Sequence, residues 1–99
     1  MNKSSPIRSA LTSAQIRAGR ALIRWSAEDL AKASTLSVAT IRRAELTEGQ
    51  TSLTAANDLA IRHALEAAGV EFIAENGGGA GVRLHEPNSA KRSGVSGMS

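Results

Sequence analysis

Apolar side chains recur every three or four residues through most of the chain, the spacing of a helix with one buried face. The first such stretch contains Ile16 and Ile23, and Thr12 with Gln15 can form a capping box at its start. We therefore predict a first helix that begins at Thr12 and ends near Trp25.

Two shorter helices should follow. Ser26 can cap the first of them, with Asp29 in the reciprocal capping-box position, and Ser37 can cap the second. The two caps are eleven residues apart, which leaves room for about two turns of helix and a tight corner. The pair is therefore expected to cross steeply.

The pattern changes after a fourth and longest helix, which Thr54 can cap and Gly69 can end. Residues 70–73 and 82–85 alternate apolar and polar side chains around a glycine-rich connection. This alternation predicts a short β-hairpin.

Residues 26–46, SAEDLAKASTLSVATIRRAEL, resemble the helix-turn-helix of the phage-repressor and Cro-like family. Ala31 falls where that family needs a small side chain at the helix crossing, and Ile41 where it needs an aliphatic core residue. The resemblance covers about residues 12–70. It implies a mainly all-α fold, a compact four- to five-helix lambda-repressor-like domain, to which the small C-terminal hairpin is added.

This fold divides the chain into four parts. We expect a flexible N-terminal arm at 1–10, the helix-turn-helix domain at 11–69, the hairpin at 70–85 and a disordered tail at 86–99. The tail has too few apolar side chains to pack.

One charged side chain is predicted to point inward. Arg20 shares the face of Ile16 and Ile23, so it needs an anion in the core. Glu45 is the natural candidate, and the resemblance places a structural ion pair at these same two positions.

The corner between the two short helices departs from the family pattern. The family commonly has glycine there, whereas this chain has Thr35, a β-branched residue for which a positive φ is costly. We therefore expect this turn to have a backbone conformation different from that of the family. The second helix of the pair is expected to run slightly longer than in the family, because Gly49 comes late after Glu45.

The outward face of the second short helix suggests DNA. If Ile41 and Ala44 face inward, the side chains left to contact bases are Val38, Ala39, Arg42 and Arg43. Small residues at its start allow close approach to a groove, and an arginine later can bind guanine through two hydrogen bonds. The alternative is that the two arginines are an ordinary solvated pair.

The resemblance also implies contacts with DNA phosphates. We assign these to Ser26, Ala27, Ser37, Thr40, Arg17 and Arg24. Backbone N–H groups at a helix start can bind phosphate without a polar side chain. For Arg17 and Arg24, ordinary solvated charges are an equal alternative.

The positive net charge of the chain is consistent with an acidic partner, but many other proteins have a similar charge. The net charge is +3, and Glu28 is the first acidic residue, after five basic ones. There is no cysteine and no long apolar run, so we expect no disulfide and no membrane span. His63 and His85 stand apart, and no catalytic set can be assembled. We therefore expect a cytoplasmic, nucleoid-associated protein that is not an enzyme and uses no cofactor or metal.

These observations favour a sequence-specific transcriptional regulator that binds double-stranded DNA. Two alternatives remain open: the antitoxin of a toxin–antitoxin pair, and an antiactivator that binds protein through an apolar hairpin. A homodimer is expected on DNA, because one short helix pair reads about half an operator. We assign the dimer contact to hairpin residues Val70, Phe72, Val82 and Leu84. The alternative is that the hairpin folds back on the preceding helix of a monomer.

Overall fold

The computed structural model describes residues 10–47 and 53–85. This part of the chain is mainly helical and ends in an antiparallel hairpin, as the sequence predicts. Its elements are α1 (Ser13–Leu22), α2 (Ala27–Ser34), α3 (Val38–Leu46), α4 (Ala55–Ala67), β1 (Val70–Ile73) and β2 (Gly81–Leu84). The predicted tail and nearly all of the predicted arm lie outside the described residues.

The helices begin at the residues that the sequence predicts. In each one a hydroxyl accepts the backbone N–H three residues later, and these hydroxyls belong to Thr12, Ser26, Ser37 and Thr54. The caps at Thr12 and Ser26 are complete capping boxes, closed by Gln15 and Asp29. These starts depend on residues only three apart, so local sequence is enough to find them.

Helix α1 ends earlier than predicted, at Leu22 rather than near Trp25. Arg24 turns the chain with a φ of 58°. The N–H of Trp25 then donates to the carbonyl of Arg20 at 2.9 Å, and that of Arg24 to Ala21 at 3.2 Å. These two bonds satisfy carbonyls at the helix end and aim the chain into α2.

The corner between α2 and α3 keeps a left-handed residue, although we expected a different backbone conformation there. Thr35 takes the left-handed conformation itself, with φ 60° and ψ 29°. The N–H of Leu36 donates to the carbonyl of Ala31 at 3.0 Å, which closes the end of α2. A β-branched residue in this region costs about 1–2 kcal/mol, so the surrounding packing overrides the local preference.

The core lies where the four helices and the hairpin meet. Its largest fully buried side chains are Leu11, Ile16, Leu30, Ile41, Ile61, Leu65 and Val70. Helix α1 approaches this core closely at Gly19, where an added Cβ would lie 3.3 Å from Leu65 and 3.5 Å from Val70. The absence of a side chain at Gly19 therefore lets α1 lie against α4 and β1.

The hairpin packs on its own protomer, and this corrects part of the predicted dimer surface. Val70 is 2% exposed and belongs to the core, while Phe72 and Val82 are partly buried and pack against it. The guanidinium of Arg62 on α4 lies 5.3 Å from the centre of the Phe72 ring. Of the four predicted dimer residues, only Leu84, at 45% exposure, presents much apolar surface.

One side chain of α1 fastens the hairpin where its strands approach the connecting loop. The amide of Gln15 donates to the carbonyl of Ile73 at 3.3 Å and to that of Gly81 at 3.0 Å. Ile73 and Gly81 are partners across the ladder. The same amide oxygen accepts the N–H of Thr12 at 3.0 Å, so one buried glutamine both caps a helix and holds the hairpin.

Candidate nucleic-acid interface

Helix α3 has one buried and one exposed face, divided as the sequence predicts. Ile41 is fully buried and Ala44 is 3% exposed. Ala39, Arg42 and Arg43 are exposed. Val38, the remaining predicted base-contacting residue, is half-buried and packs against the core, so less of its side chain reaches solvent than expected. The exposed face is therefore small at its start and cationic further along.

An arginine of α1 holds the buried side of α3. Arg20 Nε donates to Glu45 Oε2 at 2.6 Å, and its Nη2 donates to Oε1 at 2.7 Å. The third nitrogen, Nη1, donates to the carbonyl of Trp25 at 2.8 Å. Only 9% of the Glu45 side chain is exposed, and 22% of Arg20. The structure thus contains the ion pair that the sequence predicts, with two parallel hydrogen bonds.

The carboxylate of Glu45 also changes the pKa of Arg20. The hydrogen bonds that Arg20 donates to Glu45 raise the pKa of Arg20 above its ordinary value, against the opposing effect of burial. An arginine guanidinium is not deprotonated in proteins, so Arg20 keeps its positive charge in this pair. Since its guanidinium contacts both Glu45 and the turn at Trp25, it fixes α3 relative to the end of α1.

Arg17 has a partner that the sequence did not suggest. The resemblance predicts that Arg17 contacts a DNA phosphate. In the structure its Nη1 donates to the backbone carbonyl of Glu45 near the end of α3. Helical spacing could have suggested this contact in part. Arg17 and Arg20 are three residues apart, so they lie at neighbouring positions on one surface of α1. We therefore treat Arg17 as a residue that positions α3.

Sequence reasoning also missed a cross-helix pair on the exposed side. Arg42 Nη2 donates to Glu28 Oε2 on α2 at 3.0 Å, with 60% and 58% of the two side chains exposed. The residues are fourteen apart in the chain, so no helical spacing relates them. Arg43, the other predicted base-contacting arginine, forms no ion pair with any side chain in residues 10–47 or 53–85.

The start of α2 is already capped by its own side chains. Asp29 Oδ2 accepts the N–H of Ser26 at 2.9 Å, and Ser26 Oγ accepts the N–H of Asp29 at 3.0 Å. These bonds lower the pKa of Asp29 below its ordinary value. A phosphate at this end could use neither N–H, and it would meet the charges of Glu28 and Asp29. The Ser26 assignment therefore loses its backbone donor. The Ala27 assignment relies on a backbone N–H and stays a prediction, while the Ala27 side chain itself is buried.

The other predicted phosphate-contacting residues are accessible to different extents. Ser37 is exposed, and its hydroxyl lies 2.9 Å from that of Thr40. Thr40 and Arg43 line an open groove of about 190 Å³ between α3 and the start of α4. Arg24 is exposed in the turn that follows α1. The accessible candidate side chains are therefore those of Ser37, Thr40, Arg24 and the two arginines that the sequence predicts to contact bases.

Other kinds of site find no support in the described residues. No cluster of three or more histidine, cysteine or acidic side chains in residues 10–47 and 53–85 could hold a metal ion. None of the helices in these ranges has the length and apolar character needed to cross a membrane.

Comparison with known proteins adds no family. No protein-family model matches the chain, and no curated protein sequence is similar to it. The case for a function therefore depends on the geometry around α3.

Proposed function

We propose that this chain is a sequence-specific regulator that binds double-stranded DNA, with α2 and α3 acting as a helix-turn-helix. In this proposal α3 enters the major groove. The observation that supports it best is the exposed face of α3, where Ala39 precedes Arg42 and Arg43. Small residues at the entry permit close approach, and arginines beyond them can bind base edges.

The buried side of α3 supports the same proposal. A helix that reads bases must be held in a fixed orientation, because hydrogen bonds to base edges tolerate little displacement. Arg20 and Arg17 both reach from α1 to Glu45, one to its carboxylate and one to its carbonyl. Such anchoring on one face leaves the opposite face available for a ligand.

Arg43 is the residue with the clearest proposed role. It is exposed and has no acidic partner among the described residues, so no ion pair within them has to break before it binds guanine O6 and N7. Ala39 would lie against a thymine methyl group or sugar, where a larger side chain would keep α3 out of the groove.

The test begins with selection of an operator from a library of random duplexes by the full-length protein. Arg43→Ala should lose about 1–3 kcal/mol on the selected operator and relax the preference at one base pair. Arg43→Lys keeps the charge but not the planar fork, so it should show the same relaxed preference. Arg83→Ala, which removes an exposed arginine from the hairpin, is the matched control.

Three results would contradict the proposal. They are failure to enrich any sequence, an unchanged base preference in Arg43→Ala, and an equal loss for Arg43→Ala and Arg83→Ala on every sequence. In the last case the protein would bind DNA only through its overall charge.

We also propose that two copies bind DNA together, with the hairpin at their contact. Because Val70 is buried, the contact must use a strand edge and Leu84 rather than the whole apolar face. Leu84→Asp should then shift sedimentation toward the monomer and weaken operator binding. Leu59→Asp on α4 is the matched control, because Leu59 and Leu84 are both 45% exposed. An unchanged sedimentation profile at tens of micromolar would remove the hairpin from the dimer interface.

The antiactivator alternative has less support. It needs an apolar hairpin surface, and Val70, Phe72 and Val82 pack toward this protomer's own core. The antitoxin alternative is itself a DNA-binding role on the same fold. Salt therefore separates DNA binding, by a regulator or an antitoxin, from the antiactivator alternative, since binding through several phosphates weakens steeply as salt rises and an apolar interface does not.

A further inference from the structure

The exposed ion pair between α2 and α3 contributes little to stability. Exposed pairs of this kind change the free energy of unfolding only slightly, because both groups remain hydrated. Glu28 and Arg42 meet through a single hydrogen bond of 3.0 Å, and more than half of each side chain is exposed. The fold therefore does not require this ion pair.

Its position matters for any polyanion that approaches α3. Arg42 lies on the same exposed face as Arg43 and Ala39. The carboxylate that binds Arg42 belongs to the first turn of α2, which also carries Asp29. The positive charge of Arg42 is thus balanced by the carboxylate of Glu28. The acidic first turn of α2, which supplies this carboxylate, would repel phosphate.

We propose that Glu28 is an intramolecular competitor that occupies Arg42 and must release it before Arg42 can contact a DNA phosphate, a role that replaces the base contact expected for Arg42 from the sequence. The proposal rests on the proposed function and adds a residue that sets affinity and specificity. A phosphate contact that must first break an ion pair gains less free energy than one made by an unpaired arginine. Glu28 therefore weakens binding to arbitrary DNA, where only such contacts are available.

Binding to the operator should be affected less. There Arg43 and the shape of α3 add contacts to bases, which carry most of the discrimination between sequences. Glu28 thus raises the ratio of operator binding to non-specific binding.

The experiment uses the full-length protein and a fluorescein-labelled 20-base-pair duplex of mixed sequence, measured by anisotropy over a series of salt concentrations. Glu28→Gln should bind about threefold or more tightly than the wild type at low salt. The slope of log affinity against log salt should steepen by about 0.9, the value for one added phosphate contact.

The hairpin supplies a matched control. Glu71→Gln removes the same charge and releases an arginine from an exposed pair of the same length, since Arg83 Nε lies 3.0 Å from Glu71 Oε1. This variant should keep the wild-type sedimentation profile, which shows that the hairpin is undisturbed. It should change affinity by less than about twofold, because screening limits the effect of a distant charge. In an Arg42→Ala background, Glu28→Gln should have no larger effect than Glu71→Gln.

Each outcome is decisive. Tighter binding of Glu28→Gln that depends on Arg42 supports the proposal. Where the wild type binds too weakly to measure, binding by Glu28→Gln that is lost again in the Arg42→Ala background supports it equally. Equal effects of Glu28→Gln and Glu71→Gln, or a gain that persists without Arg42, overturn it while leaving the proposed function in place. If no variant binds either this duplex or a selected operator, both proposals fail.

Discussion

Two arginine–glutamate pairs connect α3 to its neighbours, one on each side of the helix. Arg20 and Glu45 join it to α1 through two hydrogen bonds, and a third bond from Arg20 reaches Trp25. Arg42 and Glu28 join it to α2 through one. The first pair is mostly buried, whereas both partners of the second are more than half exposed.

The difference shows how the same two residue types serve different ends. A buried carboxylate with a guanidinium partner is costly to separate, because each charge would be left without water or a counter-ion. An exposed pair separates easily, because water replaces the lost partner. The α1 side of α3 is therefore suited to hold the helix, and the α2 side to exchange its partner for a ligand.

The largest expected effect follows from breaking the buried pair. Glu45→Ala should lower the free energy of unfolding by about 3 kcal/mol, near the lower end for buried pairs because Arg20 keeps some exposure and its bond to Trp25. Glu28→Ala, the matched change on the other side, should cost less than about 0.5 kcal/mol. Urea denaturation measures both, and equal costs would contradict the comparison.

A smaller effect is expected at Arg17. Arg17→Ala removes the donor to the Glu45 carbonyl, and should cost about 1 kcal/mol because the bond is charged but the side chain is partly hydrated. Arg17→Lys should recover part of this loss. If Arg17 instead contacts phosphate, the stability of Arg17→Ala will match the wild type and the salt slope of DNA binding will fall by about 0.9.

The smallest effect concerns acid titration on the exposed side. Because the cap lowers the pKa of Asp29 below 3.8 in the folded protein, its contribution to stability is present above that pH. The contribution is lost as the pH falls through the lowered value. The backbone N–H of Ser26 is the largest cause of this shift and the Ser26 hydroxyl the second. Ser26→Ala removes only the hydroxyl, so the pKa of Asp29 should move part of the way back toward 3.8. Carboxyl carbon shifts in NMR spectra report this directly, and an unmoved titration would contradict the assigned cause.

The parts of the fold that the sequence predicted depend on short-range rules. Helix starts at Thr12 and Ser26 follow from residues three apart, and the inward direction of Arg20 follows from helical spacing. Gly69, with a φ of +108°, ends α4 as expected. The partner of Arg20 follows from the resemblance, which places a structural ion pair at the positions of Arg20 and Glu45.

The parts that the sequence missed depend on distant contacts. Nothing local requires Thr35 to accept a left-handed backbone, since local preference opposes it. The inward packing of Val70 depends on the space left by Gly19 on α1, fifty-one residues earlier in the chain. The pairing of Glu28 with Arg42 depends on the crossing angle of two helices, which residue spacing does not determine.

Gln15 has a consequence for how the molecule opens. Its amide oxygen accepts the N–H of Thr12, while its amide nitrogen donates to carbonyls 58 and 66 residues away. The first turn of α1 and the loop end of the hairpin therefore share one side chain, so fraying of one should release the other. In hydrogen exchange, amide protons at these two places should be exchanged in a common opening event, although they belong to opposite ends of the described chain.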